Sequence, residues 1–164
     1  MSPETKIAPD NKIAMLRHAV ATLAYRGRKT LVGAPADFST FALAAPQTPG
    51  KLLAHLCDLF DWALSNANGA ETWRNSPVGE WQQDTARFFD ALEAFDRRLA
   101  SGVPLGCDID RLFQGPVADA LTHVGQLAML RRLAGAKITG ENYFVAEITT
   151  GRCGADQAKG IQEF

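Results

Sequence analysis

The chain has 164 residues, of which 46% are hydrophobic and 21% are charged, a composition typical of a folded domain and not of an intrinsically disordered chain. The 17 Lys and Arg residues balance the 18 Asp and Glu residues, so the net charge of −1 gives no electrostatic reason to expect nucleic acid or an anionic membrane as a partner. No apolar run approaches the roughly 20 residues that span a bilayer, and the N-terminus lacks the apolar segment of a signal peptide. We therefore expect one cytoplasmic domain over residues 1–164.

The three cysteines, Cys57, Cys107 and Cys153, are scattered along the chain and form no CxxC pair. Their odd number and their spacing are typical of free thiols in a reducing compartment. Cys57 lies two residues after His55 and therefore on a different face of a helix, so a Cys–His catalytic pair is not expected. No phosphate-binding glycine loop or recognisable nucleophile motif is present.

Four segments carry the hydrophobic periodicity of amphipathic helices. The first begins at Asn11, after a polar leader over residues 1–10, and fades in the basic run 26–29. His18 lies beside Arg17 off the apolar face, so we expect its side chain to be solvated. The apolar face consists of Ile13, Leu16, Val20, Leu23 and Ala24.

The second helix is predicted to start at Thr48-Pro49, an N-cap hydroxyl followed by a proline at the first helical position. We expect it to end within residues 66–69. His55 lies on this helix between leucines and, taken alone, is typical of a histidine at the boundary of a core. The apolar positions are Leu52, Leu53, Leu56, Leu59, Phe60, Ala63 and Leu64.

The third helix is predicted from about Gly79 to Ser101. Its apolar positions alternate by three and four residues, as in helical bundles. They are Trp81, Phe88, Leu92, Phe95 and Leu99.

The fourth helix is predicted from Pro116, in the first turn, to Gly135, just past the end, with a loop over residues 102–115 before it. Arg131 and Arg132 fall in its last turn, where positive charge favours the helix dipole. Its buried positions are expected to be Val117, Ala120, Leu121, Val124, Leu127, Ala128 and Leu133.

Residues 136–164 show no clear period and predict either a short last helix or an extended arm lying across the bundle. With four amphipathic helices and no convincing strand, the predicted fold class is an all-α four-helix bundle. Binding sites in such bundles are built from side chains on facing helices.

Asp119 and His123 are the residues of the fourth helix that indicate a functional site. Side chains four residues apart project from the same helix face, and here that face is the apolar one. A carboxylate and an imidazole are costly there without a partner. A metal ion would be such a partner. The two side chains could also be partners of each other.

Two stretches resemble the DinB/YfiT-like superfamily of four-helix metalloenzymes. They are TPGKLLAHLCDLFDWAL around His55 and DALTHVGQLAMLRRLAG around Asp119 and His123, the latter with the pattern His-x-Gly-Gln and a Leu-Arg-Arg ending. The segment GENYFVAEITTGRCGADQ also resembles the tails of a subgroup. The resemblance implies an up-down-down-up bundle and a divalent metal held by one histidine of the second helix and two of the fourth.

His55 and His123 match the first and last of these family positions, and Asp119 stands at the remaining histidine position. Some members of the family transfer groups to a low-molecular-weight thiol such as mycothiol or bacillithiol. The resemblance therefore implies a thiol-dependent S-transferase or a hydrolase as the activity of this chain.

The donor set supports a metal on chemical grounds as well. Two imidazoles and one carboxylate would leave coordination positions open, as in catalytic sites, and they suit zinc, nickel or ferrous iron. Aspartate in place of histidine lowers the net charge of the site and would make the ion a weaker Lewis acid. Its shorter side chain should need a helix shift or a bridging water to reach the ion.

Several alternatives remain open from the sequence. Asp119 can instead hydrogen-bond His123 or His55 in a metal-free bundle. Asp58, one turn after His55, is either a solvated acid or an acceptor that orients His55. Gln126 faces either the site or the solvent.

Three classes of function compete: a metal-dependent transferase or hydrolase, a non-haem iron protein, and a metal-free helical dimer with a stress-associated structural or binding role. A homodimer is expected in each case, and the small-molecule substrate is not defined by the sequence.

Overall fold

Four long helices make up most of the chain in a computed structural model that describes residues 9–42 and 46–164. They are α1 (Pro9–Leu31), α2 (Pro49–Ala67), α3 (Trp81–Ala100) and α5 (Ala118–Leu133), and a short α4 (Ile109–Leu112) is joined to α5 by a π-helical segment, Phe113–Val117. Within the described residues there is no strand, only an isolated antiparallel bridge between Glu141 and Glu163. The predicted all-α class is confirmed.

The start of α2 is the one that its sequence predicts. The Thr48 hydroxyl accepts a hydrogen bond from the Lys51 amide at 3.3 Å, and Pro49 occupies the first helical position.

Helix α1 begins two residues before the predicted Asn11, because it already includes Pro9 and Asp10. The rest of the predicted leader, residues 1–8, lies outside the described residues.

Pro116 does not start the last helix, so that prediction is wrong. The Asp108 side chain caps an earlier turn by accepting from the Asp110 amide at 3.0 Å, and helix runs on from Ile109. Pro116 then falls inside the π-helical segment. Because proline has no N–H and its ring crowds the preceding turn, the wider π turn accommodates it within a continuous helical path.

The predicted apolar stripes form the core almost without exception. Leu133 is the clear departure, with 55% of its surface exposed. Arg131 takes the inward position near the end of α5 and is buried. The third-helix stripe, Trp81, Phe88, Leu92, Phe95 and Leu99, is buried throughout.

Side-chain contacts define the directions of the helices. α1 and α2 each pack against both α3 and α5. Cys57 contacts the start of α3 at Asp84, and Arg98 near the end of α3 bonds the Ala67 carbonyl at the end of α2, so α2 and α3 run parallel. Arg17 of α1 pairs with Asp96 of α3, and Trp81 bonds the Leu31 carbonyl, so α1 and α3 run antiparallel.

Because α2 and α3 are parallel, residues 68–80 must return along the bundle as a crossover segment. This segment lies along α2: the Thr72 amide donates to Ser65, and Ser76 contacts Asp58. It contains no helix or strand. Its path brings Trp73 against His55, with ring centroids 5.7 Å apart.

The chain after α5 is an extended arm rather than a last helix. Apart from a 3₁₀ turn at Tyr143–Val145, it has no helix, and it is tied to α1 by Glu141. Tyr25 and Lys29 both donate to this buried carboxylate, at 2.6 and 2.8 Å. Within the described part of the chain, no helix is both long enough and apolar enough to cross a membrane.

Arg131 joins the ends of two helices. Its guanidinium donates to the carbonyls of Thr30, Val32 and Gly33 at the end of α1, at 2.9 to 3.2 Å. Its Nε donates to the carbonyl of Ala136, just beyond α5. The arginine thus satisfies carbonyl oxygens that have no acceptor role inside either helix.

We expect Arg131→Met to lower the free energy of unfolding by about 2 to 3 kcal/mol, because it strands these buried carbonyl oxygens. Urea unfolding followed by circular dichroism measures the change. The matched control is Arg132→Met at the exposed neighbouring position, which should shift the value by less than about 0.5 kcal/mol. Equal losses in the two variants would contradict the bridging role of Arg131.

Candidate metal centre

Helices α2 and α5 bring His55, Asp119 and His123 together. The Asp119 carboxylate lies between the two imidazoles, with Oδ2 3.5 Å from His55 Nε2 and Oδ1 3.4 Å from His123 Nε2. The two imidazole rings meet edge to face at 5.0 Å between centroids. One donor atom from each residue lies within 4.8 Å of the other two.

These separations fit a metal ion. Donor atoms bound to one tetrahedral ion at about 2.1 Å lie roughly 3.4 Å apart. The two distances from Asp119 to the histidines have this size, each made by a different carboxylate oxygen. One oxygen of Asp119 thus lies opposite each ring, and the helix shift or bridging water expected for contact with an ion stays a prediction.

Gln126 is exposed on α5, and its side-chain amide contacts His123. Its Oε1 lies 2.8 Å from His123 Nδ1, and with the amide oxygen as the acceptor, Nδ1 carries the proton. The lone pair of Nε2 is then directed toward Asp119, which is the tautomer that a metal-binding histidine requires. Both predicted alternatives for Gln126 hold in part, because its side chain contacts His123 and is also exposed to solvent.

The centre lies at the edge of the bundle. The side chains of His55, Asp119 and His123 are 33%, 46% and 18% exposed. Trp73 covers His55 on one side, and Trp62 packs against Trp73 at 5.9 Å. The donors are therefore held by packing while one side of the site stays accessible to a small molecule.

Asp58 has neither of the roles that its position predicted. Its buried carboxylate accepts from the amide and hydroxyl of Ser76 at 2.7 and 2.6 Å and from Arg87 at 2.7 Å. It is thus neither solvated nor a partner of His55. Burial alone would raise the pKa of Asp58, but the hydrogen bonds from Ser76 and Arg87 outweigh it and hold the pKa below its usual value.

The other predicted candidates are outside the centre. The Cys57 thiol donates to the Asp84 carbonyl, and burial raises the pKa of both Cys57 and Cys153 to about 12, which disfavours the thiolate. His18 is exposed on α1, as its position predicts. None of these residues approaches the His55 cluster.

Trp62 and Trp73 are the site residues that sequence reasoning missed. Trp62 lies seven residues after His55 and so on the same face of α2, a signal that was available in the spacing. Trp73 has no such signal, because it comes from an irregular segment whose path depends on tertiary contacts.

The lowered pKa of Asp58 predicts a pH dependence of stability. A carboxylate whose pKa is lower in the folded than in the unfolded chain stabilises the fold at neutral pH, and that contribution is lost as the pH falls below about 4. We expect the unfolding free energy of the wild type to fall more steeply between neutral and acid pH than that of Asp58→Asn. Urea titrations across this pH range give both slopes.

Asp90→Asn is the control, because Asp90 is an exposed carboxylate on α3. It should keep the slope of the wild type. If the unfolding free energy of Asp58→Asn falls with pH as steeply as that of the wild type, Asp58 is not the group responsible for the pH dependence.

Comparison of the chain with models of known protein families gives no match. No curated protein and no solved structure matches it either.

Proposed function

We propose that the chain is a divalent-metal-dependent enzyme, a hydrolase or a transferase to a thiol, with the metal held by His55, Asp119 and His123. The observation that carries the proposal is the convergence of these three donors on one accessible point between α2 and α5. Gln126 adds weight, because it orients His123 in the way that metal-bound histidines are oriented.

The helix directions support the resemblance to the DinB/YfiT-like superfamily. In addition to the parallel α2 and α3, α1 runs parallel to the helical path formed by α4 and α5. Lys12 near the start of α1 pairs with Asp110 of α4, and Arg131 near the end of α5 binds the Thr30 carbonyl near the end of α1. These directions agree with the up-down-down-up order that we propose for the bundle.

The donor set suits zinc or nickel first and ferrous iron as a third choice. A bound divalent ion would supply Lewis-acid polarisation of a carbonyl, or would lower the pKa of a water or thiol. The chain's own part is to hold three donors, to keep the proton of His123 on Nδ1 through Gln126, and to leave one side accessible to substrate.

A metal-free helical dimer with a stress-associated structural or binding role is the second candidate. It is favoured by the contact of Asp119 with both imidazoles, because a carboxylate can accept a hydrogen bond from each ring whose Nε2 carries a proton, without an ion. Met129 and Leu133, 57% and 55% exposed on the outer side of α5, give a homodimer an apolar face to cover.

Elemental analysis of protein purified without a histidine tag tests the first candidate. We expect about one zinc, nickel or iron ion per chain, and we expect His55→Ala and His123→Ala to lose it because each variant leaves only two donors. His18→Ala, which removes an exposed histidine away from the centre, should keep the full metal content.

Absence of metal from the wild type, even after soaking with each ion, would contradict the enzyme proposal and leave the metal-free candidate. Light scattering tests the dimer separately. A mass of 17.7 kDa, that of one chain, would exclude it.

Gln126 gives a finer test of the same centre. Gln126→Leu should weaken zinc affinity roughly 10- to 100-fold, because outer hydrogen bonds of this kind orient metal-bound histidines. Gln126→Glu keeps an acceptor for His123 Nδ1 and should retain the affinity. Competition with a chromogenic chelator measures both.

The control for this series is Gln82→Leu, which changes an exposed glutamine of α3. Wild-type affinity is expected in the control. Equal affinity in Gln126→Leu and the wild type would show that His123 needs no orienting partner.

A further inference from the structure

A cavity of about 270 Å³ lies next to Trp62, two helical turns along α2 from His55 of the candidate metal centre. It is enclosed by the C-terminal half of α2, the start of the crossover segment, α4 and the π-helical segment. The residues that matter for its chemistry are Trp62, Glu71, Cys107, Arg111 and Gln114.

The cavity and the metal centre share two elements. Trp62 follows His55 by seven residues on α2, and Gly115 of the cavity precedes Asp119 by four residues on the facing helical path. Seven helical residues correspond to about 10 Å along the axis. Trp73 contacts both Trp62 and His55 and so connects the two places. A ligand of about that length would reach from one to the other.

Two opposite charges line this cavity without neutralising each other. Arg111 is exposed and, among the described residues, its guanidinium has no ion pair or hydrogen bond to a side chain. Glu71 uses Oε1 to accept from Trp62 Nε1 at 3.2 Å and makes no ion pair within the same described ranges. The indole of Trp62 is thereby held in place as an apolar wall of the cavity.

The chemistry of the walls matches one kind of ligand group. A guanidinium binds a carboxylate, and a carboxylate binds an ammonium group. Cys107 adds no reactive group, because burial raises the pKa of its thiol. The pair of charges in one small cavity therefore favours a zwitterion over a simple anion or cation.

We propose that this cavity binds the α-amino-acid end of the substrate, with its carboxylate on Arg111 and its ammonium group on Glu71, while the other end of the substrate reaches the metal centre. The substrate class is thus an amino acid or peptide derivative whose reacting group lies about 10 Å from its α-carbon. The reach toward the metal rests on the proposed function, whereas recognition of the α-amino-acid end does not.

Binding of γ-glutamylalanine to the metal-free protein, followed by tryptophan fluorescence, tests the cavity alone. We expect saturable binding, and we expect N-glutarylalanine, which lacks only the ammonium group, to bind at least about tenfold more weakly, the effect of one lost charge-assisted hydrogen bond. Arg111→Gln and Glu71→Gln should each weaken γ-glutamylalanine to a similar degree. Glu71→Gln keeps an acceptor for Trp62, and it should not weaken N-glutarylalanine.

Arg132→Gln is the matched control, because it removes another exposed arginine, on α5, and should leave binding unchanged. Equal binding of the two ligands, no saturable binding, or equal losses in Arg111→Gln and Arg132→Gln would overturn the proposal.

Adding zinc separates this proposal from the proposed function. In γ-glutamylcysteine a thiol replaces a hydrogen of the alanine side chain, so zinc should tighten its binding and leave that of γ-glutamylalanine unchanged. If zinc has no effect while the Arg111 and Glu71 results hold, the cavity is established and the reach of its ligand to the metal centre is contradicted, while elemental analysis decides whether the centre binds metal. If zinc tightens binding of γ-glutamylcysteine but Arg111→Gln and Glu71→Gln bind normally, the metal centre is supported and recognition by the cavity is contradicted.

Discussion

The buried carboxylate of Asp58 is the constraint on which the candidate site depends. Parallel packing of α2 and α3 forces the connecting segment to run back along the whole bundle, and irregular backbone has no helical hydrogen bonds to hold it. Asp58 accepts from both groups of Ser76 and pairs with Arg87 of α3, so one charge ties the crossover segment to two helices. Trp73 is placed against His55 as a result.

The donors of the candidate centre come from helices that run in opposite directions. α2 supplies His55, and α5 supplies Asp119 and His123 one turn apart. The antiparallel alignment continues toward Trp62 and Gly115, which line the neighbouring cavity. Trp73, which contacts both His55 and Trp62, thus lies between the cluster of donor atoms and a cavity lined by one acidic and one basic side chain. In the proposed enzyme the cluster would be the reacting end and the cavity the recognition end.

An aspartate in the middle of the cluster gives it a negative charge and still supplies a donor atom. The carboxylate touches both imidazoles, so it can share an ion with them or serve as their hydrogen-bond partner. The two proposed functions differ in which of these two roles Asp119 has. Gln126 bears on the choice because an oriented His123 is useful to a metal and of little consequence in a structural dimer.

By itself, the sequence determined the elements whose causes are local. Helical periodicity predicted the four helices and their buried faces, Thr48-Pro49 predicted the start of α2, and the spacing of Asp119 and His123 placed both on one face. Only the tertiary structure decided that the Asp58 carboxylate is buried between Ser76 and Arg87, and that Arg111 and Glu71 share a cavity. Those features depend on contacts between residues far apart in the chain, and no local pattern of hydrophobicity or capping encodes which distant partner a side chain will meet.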